Sequence, residues 1–455
     1  MTKTLHLAKI IVSSEIEPLF NGAILIEENK IIKIGKKEDF GDLTNYSKVI
    51  DHGESLICPG FINLHTHLLY SNINKIDGEE GLFPWLEKLV DETSGYSEKE
   101  LINSVRYGIN EAISSGTTFI AENTPNNLSI QELAKTPLKA LIGLEVFGSD
   151  EAESEKVFTK ALEQMSKCHS QLDWESSSTT NATQSLDSHF RGNDTKRIDF
   201  TFSPHAPYDV SKPLWEKLMA WSEKNNKPLL THLEESCEEK KWWQNKSGAG
   251  IRFWEKIDKL EPKRKYWKKY NSGIDFLEKN NLLSKKIIAT HLCNATKEDL
   301  LTLKKHNVKL VHSPRSNSYL NNGTANIKLW DELGFLWGIG TDSLASNESL
   351  DLLNEIRFAL RTQDIIFQYN IPAKEAFYAL TSNAAKIISK DNEIGSLQPG
   401  LMADFLIYDI KEKSGCTYKD PYNLIIWELD NKKNLKEVWI NGLQVWLAEH
   451  LLTKI

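Results

Sequence analysis

The middle of this 455-residue chain is organised by eight short apolar runs, at 62–67, 117–122, 140–147, 200–203, 229–233, 287–291, 309–312 and 338–341. Each is about the length of a buried strand. Longer segments with helical periodicity separate several of them, for example 100–114 and 213–223. Eight parallel strands with intervening helices close most simply into a barrel, so the expected fold class is α/β, a (β/α)8 barrel of the TIM type. An open, doubly wound sheet is the competing architecture. No glycine-rich phosphate loop follows the first run, which speaks against it.

The two ends have a different texture. Residues 1–58 alternate apolar and polar in short turn-bounded runs such as Gly22-Ala23-Ile24-Leu25-Ile26, and residues 403–408 and 438–442 do the same after the turn Gln398-Pro399-Gly400. We therefore expect 1–58 and 395–455 to build one small β-sandwich domain from both termini, around a barrel of 59–394. Two unrelated edge hairpins are the alternative. Within the barrel segment, 169–197 contains the low-complexity tract 176–181 and reads as a flexible surface loop. The stretch 238–270 carries Trp242, Trp243, Trp254 and Trp267 with a surplus of basic residues. It is either a lid over the barrel mouth or a helical excursion that packs its tryptophans on the barrel.

A net charge of −8 spread along the chain argues against a nucleic-acid face or a polybasic membrane patch. The five cysteines are far apart and form no CxxC pair, which excludes a cysteine zinc site and a disulfide framework as expectations. The apolar stretch 5–12 is interrupted by His6 and Lys9, and no run approaches the roughly 20 residues of a membrane span. The expected location is cytoplasmic.

Chemistry gathers where the runs end. His65 and His67 are spaced i and i+2, so both can grip one ion from one side of a strand. His232 ends the fifth run and Asp342 follows the eighth. Three imidazoles and a carboxylate suit one divalent metal ion, Zn2+ first, with Fe2+ accepting the same ligands. Asp342 can also take a proton from water activated there, acting as a catalytic base. Glu235, three residues after His232, is placed to shuttle protons, with Glu234 as its competitor. His291 polarises water or steadies an oxyanion; a fifth ligand or a hydrogen-bond partner of a ligand are its other readings. The fourth run carries His205 and no lysine, whereas two-metal barrel hydrolases bridge their ions through a carbamoylated lysine there. One metal is expected.

Together, the blocks Pro59–Gly60–Phe61–Ile62–Asn63–Leu64–His65–Thr66–His67, Ser203–Pro204–His205–Ala206–Pro207–Tyr208, Thr231–His232–Leu233–Glu234–Glu235–Ser236 and Gly340–Thr341–Asp342–Ser343–Leu344–Ala345–Ser346–Asn347 resemble the amidohydrolase superfamily, in its nucleoside deaminase branch. The likeness spans nearly the whole chain. With Ser313–Pro314–Arg315–Ser316–Asn317 and the tryptophan-rich stretch added, it is similar to the aminodeoxyfutalosine deaminases of the alternative menaquinone pathway. The resemblance implies hydrolytic loss of ammonia from an adenine ring on a modified ribose. It makes Glu235 the donor to the ring nitrogen, gives the water to His291 and Asp342, and moves His205 from the metal to the substrate. It also implies a small-molecule nucleoside as partner, and a homodimer. The low-complexity insertion departs from the family pattern.

Three alternatives stand beside this. The substrate is S-adenosylhomocysteine, methylthioadenosine or adenosine; or the leaving group is chloride or an amide; or catalysis is lost and the barrel is an interaction module. Arg315 bears on the first, because aminodeoxyfutalosine carries a benzoate that a guanidinium can hold bidentately. A salt bridge at the barrel rim is the other reading of Arg315. Glu145 binds ribose hydroxyls or caps a neighbouring helix.

Overall fold

The computed structural model describes residues 3–178, 197–245, 250, 253, 270–411 and 419–448. Five strands come first: β1 (Lys3–Ile11), β2 (Leu19–Glu27), β3 (Lys30–Lys36), β4 (Lys48–Asp51) and β5 (Ser55–Pro59). Eight more follow: β6 (Phe61–Thr66), β7 (Thr117–Thr124), β8 (Lys139–Val146), β9 (Ile198–Pro204), β10 (Leu229–Leu233), β11 (Ile287–His291), β12 (Lys309–His312) and β13 (Trp337–Ile339). The last three are β14 (Phe405–Asp409), β15 (Leu435–Ile440) and β16 (Leu443–Leu447).

β6 to β13 lie side by side in chain order, every neighbouring pair parallel. They are buried along almost their whole length because both faces are covered, the inner by side chains and the outer by helices. Ile62, Phe119, Leu141, Leu230, Ile288 and Val311 meet in one cluster, which Ala384, Ala385 and Ile387 extend from the helix Ser382–Ile387. The ring closes between its ends. The backbone amides of Thr341 and Asp342 donate to the carbonyl of His65 at 3.0 and 2.9 Å. Gly340 makes the approach feasible, since a Cβ there would stand 2.5 Å from that of His65. The fold is thus α/β with an eight-stranded parallel barrel, as expected.

Both termini join a second, mixed sheet of eight strands in the order β16-β15-β14-β5-β1-β2-β3, with β4 on β1. β1 pairs β4 through Thr4–Leu7 and β5 through Ile10–Ile11, so the sheet forks along one strand. A buried ion pair ties this sheet to the barrel: Lys139 Nζ, on β8, lies 2.6 Å from Asp404 Oδ2, just ahead of β14.

Boundaries differ from the sequence expectation where side chains cap the backbone. The helix expected from residue 100 starts at Glu98, because Ser97 Oγ accepts the Glu100 amide while Glu100 accepts that of Ser97. β13 stops at Ile339 because, after the Gly340 amide has bonded the His312 carbonyl, those of Thr341 and Asp342 turn to His65 and Asp342 takes a positive φ of 61°. The stretch read as a loop from 169 begins as helix instead, since Ser154–Ser178 is continuous; residues 179–196 lie outside the described residues. Among the described residues no helix is long and apolar enough to cross a membrane.

Candidate metal centre and catalytic pocket

His65, His67, His232 and Asp342 converge at the carboxyl end of the barrel. His67 Nε2 lies 3.2 Å from His232 Nε2, and Asp342 Oδ1 lies 3.8 Å from His65 Nε2 and 3.7 Å from His67 Nε2. Ligands about 2.0–2.1 Å from a tetrahedral zinc ion are about 3.3 Å apart, so the four atoms are close to the spacing of one coordination sphere. The chemical form also fits. Burial, and then the neighbouring imidazoles, hold His65 and His232 well below the usual histidine pKa, which leaves them neutral with a lone pair to give. Burial alone would raise Asp342, but His65, His67 and His291 pull its carboxyl down to about 2.

Three of the four, His232, His65 and Asp342, are braced from behind; of the braces, His205 and Ser316 lie in the sequence blocks that carry the family resemblance, whereas Asn123 does not. His232 Nδ1 donates to the carbonyl of His205 at 2.9 Å, which turns Nε2 inward. The Asn123 amide sits 2.9 Å from His65 Nδ1. Ser316 Oγ donates to Asp342 Oδ2 at 2.6 Å. What remains is telling: His65 Nε2 is buried with no hydrogen-bond partner, in the position a cation would fill.

Glu235 and His291 stand beside this cluster, with His291 Nε2 3.6 Å from Glu235 Oε2. His291 Nδ1 donates to Asn317 Oδ1 at 2.8 Å, so its Nε2 is held toward Glu235. Burial pushes the Glu235 carboxyl upward against the pull of His291, which favours a group that both gives and takes a proton. Asn322 donates to Glu235 Oε1 at 3.0 Å. The competitor, Glu234, faces elsewhere and accepts the Gly273 amide at 2.8 Å. Glu234, His291, Leu292 and Asp342 all carry positive φ, between 49° and 81°, an unfavourable backbone concentrated at one site.

His205 does not join His65 and His67 but lies in a neighbouring group with Glu145 and His232. Its Nδ1 is bound at 2.6 Å to Asp209, and against the effect of burial that carboxylate raises the ring pKa to about 9, the form of an imidazolium. Glu145 lies beside His67, its Oε1 3.8 Å from Nδ1, and within reach of His205 and His232. Among the described residues its carboxylate caps no helix. Arg315 is brought to a different place. Its guanidinium is held by Glu348 at 2.9 Å, Ser349 at 3.0 Å and the buried Glu355 at 3.6 Å, the rim salt bridge of the two readings. Trp242 and Trp243 are both buried, Trp243 stacked on Phe276 with ring centroids 5.7 Å apart. Those two pack on the barrel; Trp254 and Trp267 lie outside the described residues.

The wider likeness runs along the whole chain. A relative from Bacillus cereus, 5-methylthioadenosine/S-adenosylhomocysteine deaminase, is 26% identical over 442 residues, covering 95% of this chain and 91% of its own. Among solved structures, Helicobacter pylori aminofutalosine deaminase in complex with methylthio-coformycin superposes with a TM-score of 0.77 at 22% identity, over 97% of this chain and 100% of that one. An adenosine deaminase from Xanthomonas campestris with bound zinc gives 0.75 at 20% identity, over 97% and 92%. The sequence model of the amidohydrolase family matches residues 56–445, which takes in the whole barrel and, of the terminal sheet, β14, β15 and most of β5, but not β1 to β4. With that match, the chain belongs to the amidohydrolase family.

Proposed function

We propose that this protein is a metal-dependent hydrolase that removes ammonia from the 6-amino group of a purine nucleoside. The observation that carries the reading is the Glu235–His291 pair, 3.6 Å apart, set against a cluster of three imidazoles and Asp342. His65, His67, His232 and Asp342 would hold a divalent ion, Zn2+ first with Fe2+ accepting the same donors, which would supply a nucleophile at neutral pH by lowering the pKa of water to about 7.

The residues then divide the work. Asp342, its carboxyl kept ionised by the surrounding imidazoles, takes the proton from the attacking water. Glu235 gives its own proton to the ring nitrogen as oxygen adds to C6. It then takes up the remaining proton of the added hydroxyl and passes it to the leaving amine as the C6–N bond breaks and the C6=O bond forms. The proton held by Asp342 then returns to Glu235 to close the cycle. His291, fixed by Asn317, holds the oxygen that adds. His205 and Glu145 line the side of the pocket next to His67 and His232, where they meet the base and the sugar.

For the substrate, we place aminodeoxyfutalosine first, on the His205–Tyr208 and Ser313–Asn317 blocks and the likeness to aminofutalosine deaminase. Methylthioadenosine or S-adenosylhomocysteine is the second reading. It is favoured by the relatives' activity and by Arg315, whose guanidinium is committed to Glu348, Ser349 and Glu355. A panel of these nucleosides with adenosine, assayed for ammonia with metal content measured on the same sample, tests the proposal. Ammonia from none of them, or chloride or carboxylate released instead from triazine or amide probes, overturns it.

A further inference from the structure

We infer that Phe147 determines specificity at this site: its ring is the platform on which the 5′-substituent of the nucleoside stacks, and it selects 5′-substituted 6-aminopurine nucleosides over adenosine. The inference rests on the deaminase reading above. Phe147 follows the end of β8, two residues after Glu145, and both side chains reach His205. The Phe147 and His205 ring centroids are 4.7 Å apart with the planes tilted by 30°, and His205 is in turn 4.7 Å from His232. Three rings thus run outward from the ligand cluster.

Exposure rises along that row. His232 is 6% exposed, the His205 side chain 14%, and Phe147 44%, which orders them from pocket floor to mouth. A nucleoside with its amino group at Glu235 lays its base past His205 and its 5′ end outermost, against Phe147. Exposed aromatic surface at that point is apolar area that a ligand can remove from water. The platform is also rigid. The Gly148 amide donates to the Asp209 carbonyl at 3.0 Å and the Ser211 amide to the Gly148 carbonyl at 2.7 Å, so Phe147 is anchored to the segment whose Asp209 side chain holds His205. An aryl or thioether group gains this contact. A bare 5′-hydroxyl gains little from it.

The test compares wild type, Phe147→Ala and Phe147→Tyr on adenosine, methylthioadenosine and a 5′-arylthioadenosine. The expected result is that Phe147→Ala lowers the kcat/KM ratio of arylthioadenosine to adenosine at least tenfold, through KM, while Phe147→Tyr keeps the ratio. Equal loss on all three nucleosides, or an unchanged ratio, overturns the inference. Calorimetric binding of the same nucleosides to the metal-loaded protein reads the contact independently of turnover. Binding that shows the ratio without ammonia release sinks the deamination reading alone, and binding that shows no ratio sinks the role of Phe147.

Discussion

Glu239 Oε2 accepts the backbone amide of Glu235 at 2.9 Å, a hydrogen bond made wholly inside the protein. The Glu239 amide in turn donates to Ser236 Oγ at 3.1 Å, so the first turn of the helix Cys237–Asn245 locks the residue proposed as proton shuttle. Glu235→Gln should lower turnover by roughly 10²- to 10⁴-fold, the range of a general acid-base contribution. Glu239→Ala should act through Glu235. Leaving the buried Glu235 amide without its acceptor costs about 1–3 kcal/mol, and we expect kcat to fall by roughly 5- to 100-fold with KM nearly constant. Glu239→Gln, which keeps an acceptor, should lose less. A Glu239→Ala protein with wild-type kcat would show that this bond positions nothing.

Removing the ion should expose its structural share. His67 Nε2 and His232 Nε2 face each other at 3.2 Å with two lone pairs that repel unless a cation or proton lies between them. A ligand present at about 100 times its Kd stabilises the folded state by roughly 2.7 kcal/mol. Chelation should therefore lower the melting temperature and abolish ammonia release together, and zinc should restore both. His67→Asn should bind less than a tenth of the wild-type metal by elemental analysis. Full metal content in that variant would remove His67 from the ligand set.

Arg315 separates what a sequence can disclose from what it cannot. The barrel was legible because each strand is a contiguous run, and the cluster of imidazoles and carboxylate because its members stand at run ends: the structure brings His65, His67, His232, His291 and Asp342 together. Side-chain partnerships were not legible, since they depend on where distant loops meet. Glu348 and Glu355 reach Arg315 from 33 and 40 residues away, and Asn123 braces His65 across 58. Asn123 and Asn322 orient the site without belonging to any of the sequence blocks that carry the resemblance, and the part that Ser316 and Asn317 play is visible only once the chain is folded.

From those partners follows a prediction for the rim. Glu355 is fully buried; burial lifts its carboxyl to about 8 even though Arg315 draws it down, so losing the guanidinium strands an acid. Arg315→Ala should lower kcat/KM for carboxylate-bearing and uncharged nucleosides by the same factor, and lower the melting temperature. Loss confined to the carboxylate-bearing substrate would return Arg315 to the binding site.

The Lys139–Asp404 pair makes a similar claim for the junction between barrel and terminal sheet. Its side chains are 8% and 4% exposed, and Asp404 Oδ1 also accepts the Asn441 amide at 2.8 Å. Removing one partner of a buried pair typically costs about 3–5 kcal/mol, while replacing both with apolar groups is often neutral. Lys139→Met should therefore shift the urea midpoint strongly downward, and Lys139→Met with Asp404→Leu should recover part of the loss. Equal midpoints for Lys139→Met and wild type would mean that water reaches the pair.

Acid sensitivity should have one source far from the metal. His6 lies in β1, its Nδ1 3.0 Å from His52 Nε2 and its ring edge-on to Phe405 and Trp439, and its Nε2 is buried without a partner. Burial first, then the charges of His52 and Lys48, lower its pKa to about 3 from the ordinary 6.5. A histidine depressed in the folded state stabilises that state only while neutral. Its contribution is intact above pH 6.5, falls as the pH drops through the window toward 3, and amounts to a loss of about 2 kcal/mol at pH 5. His6→Phe removes the titration while keeping an aromatic ring between Phe405 and Trp439. Its unfolding free energy should decline less than wild type between pH 7 and pH 5, by about that amount, in parallel urea titrations. Parallel declines for the two proteins would place the acid-sensitive groups elsewhere.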